Sequence, residues 1–315
     1  MPAAESASPS VSVIIPCYNC ARTLPSSIES VLAQEDIQAQ IILIDDGSSD
    51  DTPMLIRAFH AQYPDRILFA SQPSKGPAAA RNLAIGMAST DYIAFLDSDD
   101  MWTPGKLREQ IAYMVRHPEC GLSHTDAVMV DADGRQVRLM KSREAFNGQC
   151  FEKMLESNGL ITSTVCIRRD VIGKCGLFDT TLVTRSDWEY WVRVAREYAF
   201  GSLNRPLCYY RVHDSNISRR IDQSFSDHAT IIHRNIERYG GEIPLRDIFD
   251  KAWFLLYASY AASFAHAGRY QEALRNWVRA ARLQPVNLKM HYTIARACSV
   301  SLLKKLLAPV LARGR

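Results

Sequence analysis

Residues 91–100, DYIAFLDSDD, place a short apolar run directly before a group of carboxylates. Residues 93–96 have the composition of a buried strand interior, and Asp97, Asp99 and Asp100 follow at once. Like charges this close repel one another unless a cation lies between them or water screens them. The stretch therefore predicts a strand that ends in a polar site, and it raises the question of whether the cation is a metal ion.

Strands of the same type recur upstream, and each is followed by a helical pattern. The predicted strands cover 11–15, 40–45, 66–71 and 92–97, and the predicted helices cover 24–34, a segment from 52, and 76–88. Near-continuous apolar strands joined by helices are typical of a parallel sheet that is covered on both faces. We therefore predict an α/β protein for the first part of the chain.

The pattern changes twice further along. After about 105 we predict short strands in 123–140, 163–169 and 206–213, with a helix over 186–199 between the last two, which indicates a mixed sheet. From 221 only helical patterns occur, and 252–285 resembles a tetratricopeptide-type helix pair hinged at Gly268. The predicted organisation is a disordered lead-in (1–9), an α/β domain (10–220, with halves 10–104 and 105–220) and an all-helical C-terminal region (221–315).

Composition limits the classes of protein that the chain can form. Its 315 residues are 47% hydrophobic and 23% charged, and the net charge of +3 gives no reason to expect nucleic acid binding. No apolar run is long enough to span a bilayer. The eight cysteines are scattered, and although Cys17 and Cys20 form a C-x-x-C, no second pair completes a metal site. We expect a cytoplasmic protein, with peripheral contact to the inner membrane face or to a partner protein through the C-terminal helices.

Polar side chains follow three of the predicted parallel strands, at the edge where such sheets bind ligands. Tyr18 follows the first strand, Asp45 and Asp46 follow the second, and the aspartates of 97–100 follow the fourth. Tyr18 is suited to stack on a base, and a carboxylate of the Asp45–Asp46 pair is suited to accept from a ring N–H. Arg81 is suited to pair with phosphates. The sequence therefore predicts a site for a nucleotide that carries a diphosphate.

A divalent cation fits the same edge. Asp97 and Asp99 alternate along the chain, so a continuing strand would direct both carboxylates into one pocket. Hard oxygen ligands of this kind suit Mg²⁺ or Mn²⁺, which would share its other positions with phosphate oxygens and water. The chain contains neither a P-loop nor a dinucleotide-binding glycine motif.

Four segments in this order and spacing resemble family 2 glycosyltransferases of the GT-A fold, from about residue 10 to about residue 220. They are VSVIIPCYN (11–19), ILIDDGSSDDT (42–52), KGPAAARN (75–82) and YIAFLDSDD (92–100). The resemblance implies a Rossmann-like mixed sheet covered by helices. It also implies an inverting, metal-dependent transfer of a sugar from a nucleotide diphosphate, with a UDP-sugar favoured, to a hydroxyl of a glycan, lipid-linked or protein acceptor in polysaccharide or glycoconjugate synthesis.

The resemblance also assigns roles to individual residues. Tyr18 and Asp46 would hold the base, Asp97 would contact the ribose and metal side, and Asp99 would bind the divalent ion. The remaining members of the predicted nucleotide-sugar site are Pro16, Asn19, Arg81 and Ser98.

The acceptor side rests on two later segments. Family members usually carry two acids at the start of a helix, and in RSDWEYWVRVA (185–195) Asp187 matches the second acid while Ser186 replaces the first. Asp187 is therefore the candidate base, with Glu189 in reserve and with simple helix capping as the alternative role. In YYRVHDSNISR (209–219), His213 is a candidate metal ligand, and Arg211 could add positive charge near the diphosphate.

Two other functions are compatible with parts of the pattern. The segment FLDSDD also matches phosphatases that use the first aspartate of a D-x-D as a nucleophile, which would be Asp97 here. The replacement by Ser186 leaves open an inactive nucleotide-sugar-binding module with a helical tail that binds partners. Release of phosphate from simple esters, compared with release of nucleotide from sugar nucleotides, separates the phosphatase from a transferase, and sugar-nucleotide hydrolysis that needs Mn²⁺ would speak against the inactive module.

Overall fold

The computed structural model describes residues 9–34, 37, 39–141, 146–213, 220–241 and 245–284. The predicted lead-in, apart from Pro9, and the basic tail after Leu288 lie outside these residues, so what we expect of them stays a prediction. The same holds for 214–219, the end of the segment 209–219 that contains His213.

The chain alternates strands and helices in its first part and is helical at its end. The strands are β1 (Val11–Cys17), β2 (Ala39–Asp45), β3 (Ile67–Ser71), β4 (Tyr92–Phe95), β5 (Met101–Trp102), β6 (Cys120–Val130), β7 (Gln136–Met140), β8 (Cys166–Arg168) and β9 (Ala199–Arg211). The helices are α1 (Leu24–Leu32), α2 (Thr52–Gln62), α3 (Pro77–Met87), α4 (Lys106–Arg116), α5 (Phe151–Glu156), α6 (Asp170–Cys175), α7 (Ser186–Glu197), α8 (Ile221–Tyr239), α9 (Arg246–His266) and α10 (Tyr270–Leu283).

The described strands form one mixed sheet. Its order is β3-β2-β1-β4-β8-β6-β9-β5, with β7 paired to β6. β3, β2, β1 and β4 run parallel, as predicted from their apolar sequences. β8 is antiparallel to both β4 and β6, and β9 runs parallel to β6. The sheet is therefore parallel in the half that precedes the aspartates and mixed in the half that follows them.

Both faces of the parallel half are buried, which explains the continuous apolar strands. On one face Val13 and Ile15 belong to the same apolar cluster as Ile28 of α1 and Ile111 of α4. On the other face Phe95 packs edge to face against Trp191 of α7, with ring centroids 5.7 Å apart. Fully burying a side chain of this size contributes about 1.5–3 kcal/mol to folding.

The fourth strand is shorter than predicted. We expected 92–97, but β4 ends at Phe95, and the Asp100 N–H donates to the Asp97 carbonyl at 3.0 Å in a tight turn. The strand ends because the Asp97 N–H donates to the side chain of Ser163, in the segment before β8, and not to the backbone of a strand. Residues Thr162–Thr164, predicted as part of a strand, form a 3-10 turn before β8.

The chain divides into two units, which are described separately. The first unit comprises Met1–Met154 with Asn158–Asn216, and the second comprises Leu155–Ser157 with Ile217–Arg315. No helix among the described residues combines the length and the apolar character needed to cross a bilayer.

Small side chains bring two helices of the second unit together. Ala258 and Ala261 of α9 and Ala280 of α10 form a buried apolar cluster with Phe254. The chain reverses between the two helices at Gly268, at the hinge that the sequence predicts, where φ is +75°. A residue with a side chain is disfavoured in that conformation.

Candidate active site

The strand register brings three loops to one edge of the sheet. Cys17 at the end of β1 lies opposite Asp45 at the end of β2, and Ile14 lies opposite Phe95 at the end of β4. The loops that follow these strands therefore leave from the same edge, where the sequence predicts the nucleotide site. Pro16, the first predicted site residue, lies within β1 and is half-buried.

The loop after β1 is fastened to the loop after β2. Asn19, with φ at +47°, accepts a bond from the Ser49 N–H through its Oδ1 at 2.8 Å, and its own N–H donates to Ser48 Oγ at 3.0 Å. Tyr18 is left 54% exposed. An exposed ring on a fixed loop is available to stack on a base.

Asp46 has more protein partners than the sequence suggested. Its Oδ1 accepts from Gln72 Nε2 at 2.7 Å and from the Lys75 N–H at 2.8 Å, and its Oδ2 accepts from the Gly76 N–H at 2.8 Å. The carboxylate therefore fixes the segment that leads into α3, in addition to any contact with a base. Nothing in the residue pattern around Asp46 indicates this structural role.

Asp97 forms an ion pair with Arg81 of α3. Arg81 Nη2 lies 2.6 Å from Asp97 Oδ1, and only 7% of the arginine side chain is exposed. The guanidinium also lies over the Phe178 ring, 5.8 Å from its centroid. The two residues are brought together as predicted. The arginine is already neutralised by Asp97, however, so its pairing with a phosphate stays a prediction.

Asp99 contacts His213 and not a second carboxylate. His213 Nε2 lies 2.8 Å from Asp99 Oδ2. The prediction that strand alternation directs Asp97 and Asp99 into one pocket is wrong in its reasoning, because the strand has ended and both residues lie in a turn. The carbonyl of Ser98, which lies between them, accepts a hydrogen bond from the Ser27 hydroxyl at 2.9 Å.

The donor set at this turn fits a divalent cation. Burial raises the pKa of Asp99, the nearby charge of Asp97 raises it further, and His213 opposes both effects. A divalent cation would relieve this repulsion, and a carboxylate beside an imidazole can supply two ligands. Among the described residues no group of three ligating side chains comes together. Such a pair fits Mg²⁺ or Mn²⁺, which takes its other ligands from phosphate and water.

Asp100, by contrast, is a structural residue. Its side chain is fully buried, Oδ2 accepts from the Ser163 hydroxyl at 2.5 Å, and Oδ1 accepts from the Arg211 N–H at 2.8 Å. Arg211 Nε in turn donates to the Asp99 carbonyl at 2.9 Å. Arg211, predicted to add charge near the diphosphate, is buried and also donates from Nη1 to the Ala132 carbonyl at 3.1 Å, so its contact with a diphosphate stays a prediction.

Asp187 lies in the first turn of α7 and is held by another segment. Its Oδ2 accepts from Asn158 Nδ2 at 3.1 Å and from Thr162 Oγ1 at 3.2 Å. Because both bonds come from outside α7, they indicate that the Asp187 carboxylate is held in a fixed orientation and does not merely cap the helix. Glu189, the reserve candidate, is less suited to act as the base, because both oxygens of its carboxylate are paired with Arg193.

Tyr210 connects the two sides of the site. Burial raises the pKa of its phenol, and the charges of Asp100, Asp97, Asp99 and Asp187 raise it further, in that order. The phenol therefore stays protonated near neutral pH, where it can donate one hydrogen bond and accept others. Asp187 lies near the aspartate turn, because the adjacent Thr162 and Ser163 bond to Asp187 and to Asp100 respectively.

The family model for glycosyl transferase family 2 matches residues 12–178, which include the loops after β1, β2 and β4. The chain belongs to glycosyl transferase family 2. For a family 2 member the phosphatase alternative loses its support.

Curated relatives agree with this family. An uncharacterized glycosyltransferase of Rickettsia bellii is 33% identical over 65% of this chain, and the chain spans only 29% of that protein's length. The Escherichia coli UDP-Glc:alpha-D-GlcNAc-diphosphoundecaprenol beta-1,3-glucosyltransferase WfgD is 30% identical over 66% of this chain and 79% of its own length.

Solved structures confirm the GT-A fold for this family 2 chain. Staphylococcus aureus TarS 1-349 in complex with UDP-GlcNAc superposes with a TM-score of 0.60 at 15% identity, covering 89% of this chain and 92% of that one. The mannosyltransferase PcManGT of Pyrobaculum calidifontis, in complex with GDP-Man and Mn²⁺, gives 0.63 at 18% identity, covering 96% and 88%.

The sequence missed the side chains that hold this family 2 site together. Ser27, Ser163 and Tyr210 carry no pattern that separates them from ordinary buried residues, because their partners lie far away in the chain. Asp100 had a signal, as the fourth carboxylate of the opening stretch, but its burial could not be read from its neighbours in sequence.

Proposed function

We propose that the protein is an inverting glycosyltransferase that moves a sugar from a nucleotide diphosphate to an acceptor hydroxyl. The observation that supports this most is that one small region combines the Asp99–His213 pair, the Arg81–Asp97 pair and the fixed carboxylate of Asp187. The family of the chain supports the same reaction class.

The donor side is assigned to the three loops at the sheet edge. Tyr18 stacks on the base, while Asp46 and Asn19 keep the base-binding loops in place. Asp99 and His213 would hold a Mn²⁺ or Mg²⁺ ion, which when bound would supply positive charge to the diphosphate. We favour a UDP-sugar, since WfgD is named for UDP-Glc and TarS was solved with UDP-GlcNAc, although PcManGT was solved with GDP-Man.

The acceptor side is assigned to Asp187. Its carboxylate accepts the proton of the acceptor hydroxyl while that oxygen bonds to the anomeric carbon and the bond from this carbon to the diphosphate oxygen breaks. Attack from the side opposite the leaving group inverts the anomeric centre. Asn158 and Thr162 bind the same oxygen, Oδ2, and so fix the direction of the carboxylate.

The acceptor class is assigned by relatedness. WfgD is named for a sugar linked through diphosphate to undecaprenol, and a relative from Bacillus subtilis is named as a putative teichuronic acid biosynthesis glycosyltransferase. We therefore propose a growing surface polysaccharide, carried on a lipid diphosphate, as the acceptor, and a site of action at the inner face of the membrane.

A screen of sugar nucleotides tests the proposal. UDP-glucose, UDP-N-acetylglucosamine, UDP-galactose, GDP-mannose and dTDP-rhamnose are each added with Mn²⁺, and both the melting temperature and nucleotide release are measured. One donor should raise the melting temperature strongly and release its nucleotide slowly to water, and a chelator should abolish both effects. If no donor does either, the proposed reaction is wrong, and an unreactive donor that binds tightly indicates the inactive module instead.

Asp187→Asn separates binding from chemistry. Donor binding should persist while nucleotide release falls by about 10²–10⁴-fold, the usual contribution of a positioned base. The exposed Asp133→Asn serves as the control and should leave both unchanged. If Asp187→Asn kept normal turnover, the assignment of Asp187 as the catalytic base would be wrong.

A further inference from the structure

The short turn Thr162–Thr164 lies between the two halves of the candidate site. Thr162 Oγ1 donates to Asp187 Oδ2 at 3.2 Å. The next residue, Ser163, donates to Asp100 Oδ2 at 2.5 Å and accepts from the Asp97 N–H at 3.0 Å. Two adjacent hydroxyls therefore bond to the candidate base on one side and to the aspartate turn on the other.

The backbone of this turn is itself held by its surroundings. Trp102 Nε1 donates to the Ser163 carbonyl at 2.8 Å, and Gln110 Nε2 donates to the Thr164 carbonyl at 3.0 Å. Within the turn, the Val165 N–H donates to the Thr162 carbonyl at 3.0 Å. Ser163 and Thr164 are buried almost completely. The turn therefore has little freedom to move relative to the sheet.

We propose that Thr162 and Ser163 are positioning residues that set the geometry between the metal-binding aspartates and the catalytic base. Ser163 closes the aspartate turn, and Thr162 orients Asp187. This inference rests on the proposed function, because it takes Asp99 as a metal ligand and Asp187 as the base. It adds that a single rigid turn, and not the two loops separately, fixes the position of Asp99 relative to Asp187.

Ser163 acts on the metal side. The carboxylates of Asp97, Asp99 and Asp100 repel one another, and Ser163 closes their turn by bonding to its first residue and its last. Without the hydroxyl, the Asp97 N–H and one Asp100 oxygen lose a partner, and the turn can open. Side chains that orient metal ligands in this way typically contribute 10–100-fold to metal affinity or activity.

Thr162 acts on the base side. Thr162→Val removes the hydroxyl at nearly constant shape and leaves Asp187 Oδ2 with Asn158 as its remaining donor from this set. The carboxylate then rotates more freely, which lowers the fraction of time in which it faces the acceptor. The aspartate turn keeps its bonds to Ser163, so metal binding should not change.

The test measures Mn²⁺ affinity and turnover separately in adjacent variants. Electron paramagnetic resonance of free Mn²⁺, with saturating UDP and in a second titration with GDP, gives the affinity without any need for catalysis. Nucleotide release from UDP-glucose, UDP-N-acetylglucosamine and GDP-mannose gives turnover. Ser163→Ala should weaken Mn²⁺ binding about 10-fold or more, whereas Thr162→Val should leave it within about 2-fold and lower kcat about 10-fold.

Each variant has a matched control in the same fold. Ser123→Ala removes another fully buried hydroxyl, which makes no hydrogen bond to the described residues. Thr125→Val removes a buried threonine hydroxyl in β6, away from the turn, which bonds only to the Asp126 carbonyl at 3.0 Å among the bonds described. Both controls should keep Mn²⁺ affinity and kcat near the wild-type values.

The outcomes separate this inference from the proposed function. If the wild type binds no Mn²⁺ with either nucleotide, the metal site itself is wrong, and the inference falls with it. If the wild type binds Mn²⁺ and Ser163→Ala binds equally well, or if Thr162→Val weakens Mn²⁺ binding as much as kcat, only the positioning role is wrong. If Ser163→Ala does not fold, Ser163→Cys takes its place in the same comparison. Its thiol fills the space of the hydroxyl but forms only weak hydrogen bonds.

Discussion

Three aspartates within four residues take three different roles because their surroundings differ. Asp97 is paired with a buried guanidinium, Asp99 contacts an imidazole, and Asp100 is buried under a hydroxyl and a backbone N–H. Burial raises the pKa of Asp100 well above its usual value, and the charges of Asp99 and Asp97 raise it further. Only Asp99 combines a raised pKa with a neighbouring ligand, which is why the metal is assigned to it.

Asp99→Asn should separate activity from stability. The raised pKa of Asp99 means that its ionised form is disfavoured in the folded protein at pH 7, so removing the charge relieves repulsion. We expect the free energy of unfolding in urea to stay equal or rise by up to about 1 kcal/mol. Turnover should fall by about 10²-fold or more, because charge on the leaving diphosphate is no longer neutralised. A variant with near-normal turnover would contradict the metal role of Asp99.

A buried lysine is the least expected charge in the first unit. The Lys106 side chain is fully buried, and its Nζ lies 3.7 Å from the centroid of the Trp102 ring. Nζ has no hydrogen-bond partner among the described residues. Burial lowers the pKa of Lys106 from 10.5 to about 8, with the nearby Cys166 and Cys208 opposing the shift. At pH 7 this burial costs roughly 3 kcal/mol of stability.

Lys106→Met should stabilise the protein in a pH-dependent way. The lowered pKa means that the unfolded chain binds the proton more strongly, so the cost in the wild type is fully present below pH 8 and shrinks as pH rises toward 10.5. We expect the free energy of unfolding to rise by roughly 2 kcal/mol at pH 7, after allowance for the lost cation–π contact. At pH 9.5 this gain should almost disappear. The gain is measured by urea unfolding at both pH values, and Lys141→Met, a change at an exposed lysine, is the control. An equal gain at both pH values would contradict the titration.

At the scale of elements, loops fixed by side chains complete what the strands begin. The segment that enters α3 carries Lys75 and Gly76, whose N–H groups both bond to Asp46 on the loop after β2. Gly76 has φ at +89°, so the chain turns there in a conformation that favours glycine. The carboxylate thus sets where α3 begins, and with it where Arg81 lies.

Asp46→Ala should destabilise this connection much more than a similar change nearby. It leaves three donors without their acceptor, and we expect a loss of about 2–3 kcal/mol in the free energy of unfolding. Asp51→Ala, in the same loop, removes an exposed carboxylate that makes no capping bond to α2, so its effect should stay within about 0.5 kcal/mol. Equal losses would mean that Asp46 does not hold the loop.

At the scale of the whole molecule, the candidate site belongs to one of two units. All the residues assigned to the donor and the base lie in the first unit, whereas the second unit has an apolar cluster of its own between α9 and α10. Ligand binding stabilises the cooperative unit that holds the ligand. The two units therefore need not respond alike to a nucleotide.

Calorimetry should resolve this difference. With Mn²⁺ and the correct nucleotide at about 100 times its dissociation constant, we expect the transition of the first unit to rise by about 5–10 °C. The transition of the second unit should not move. A chelator, or the Asp99→Asn variant, should cancel the shift. A single transition that moves as a whole would show that the two units unfold together.

The first half of the fold could be predicted because its determinants are local. Apolar runs in β1, β2 and β4 and the helical spacing in α1 and α3 are properties of neighbouring residues, and parallel strands send their carboxyl ends to one edge. From this alone the chain indicates a parallel sheet and a nucleotide site with Tyr18, Asp46 and Asp99 at its edge.

The roles of individual side chains depended on partners distant in the chain. Asp100 meets Ser163 and Arg211 across separations of 63 and 111 residues, and Asp99 meets His213 across 114. No local pattern encodes such pairings, because they follow from how the strands after β4 return antiparallel and parallel to it. Residue types and order thus determined the sheet and the family, while packing determined which carboxylate is free to hold a cation.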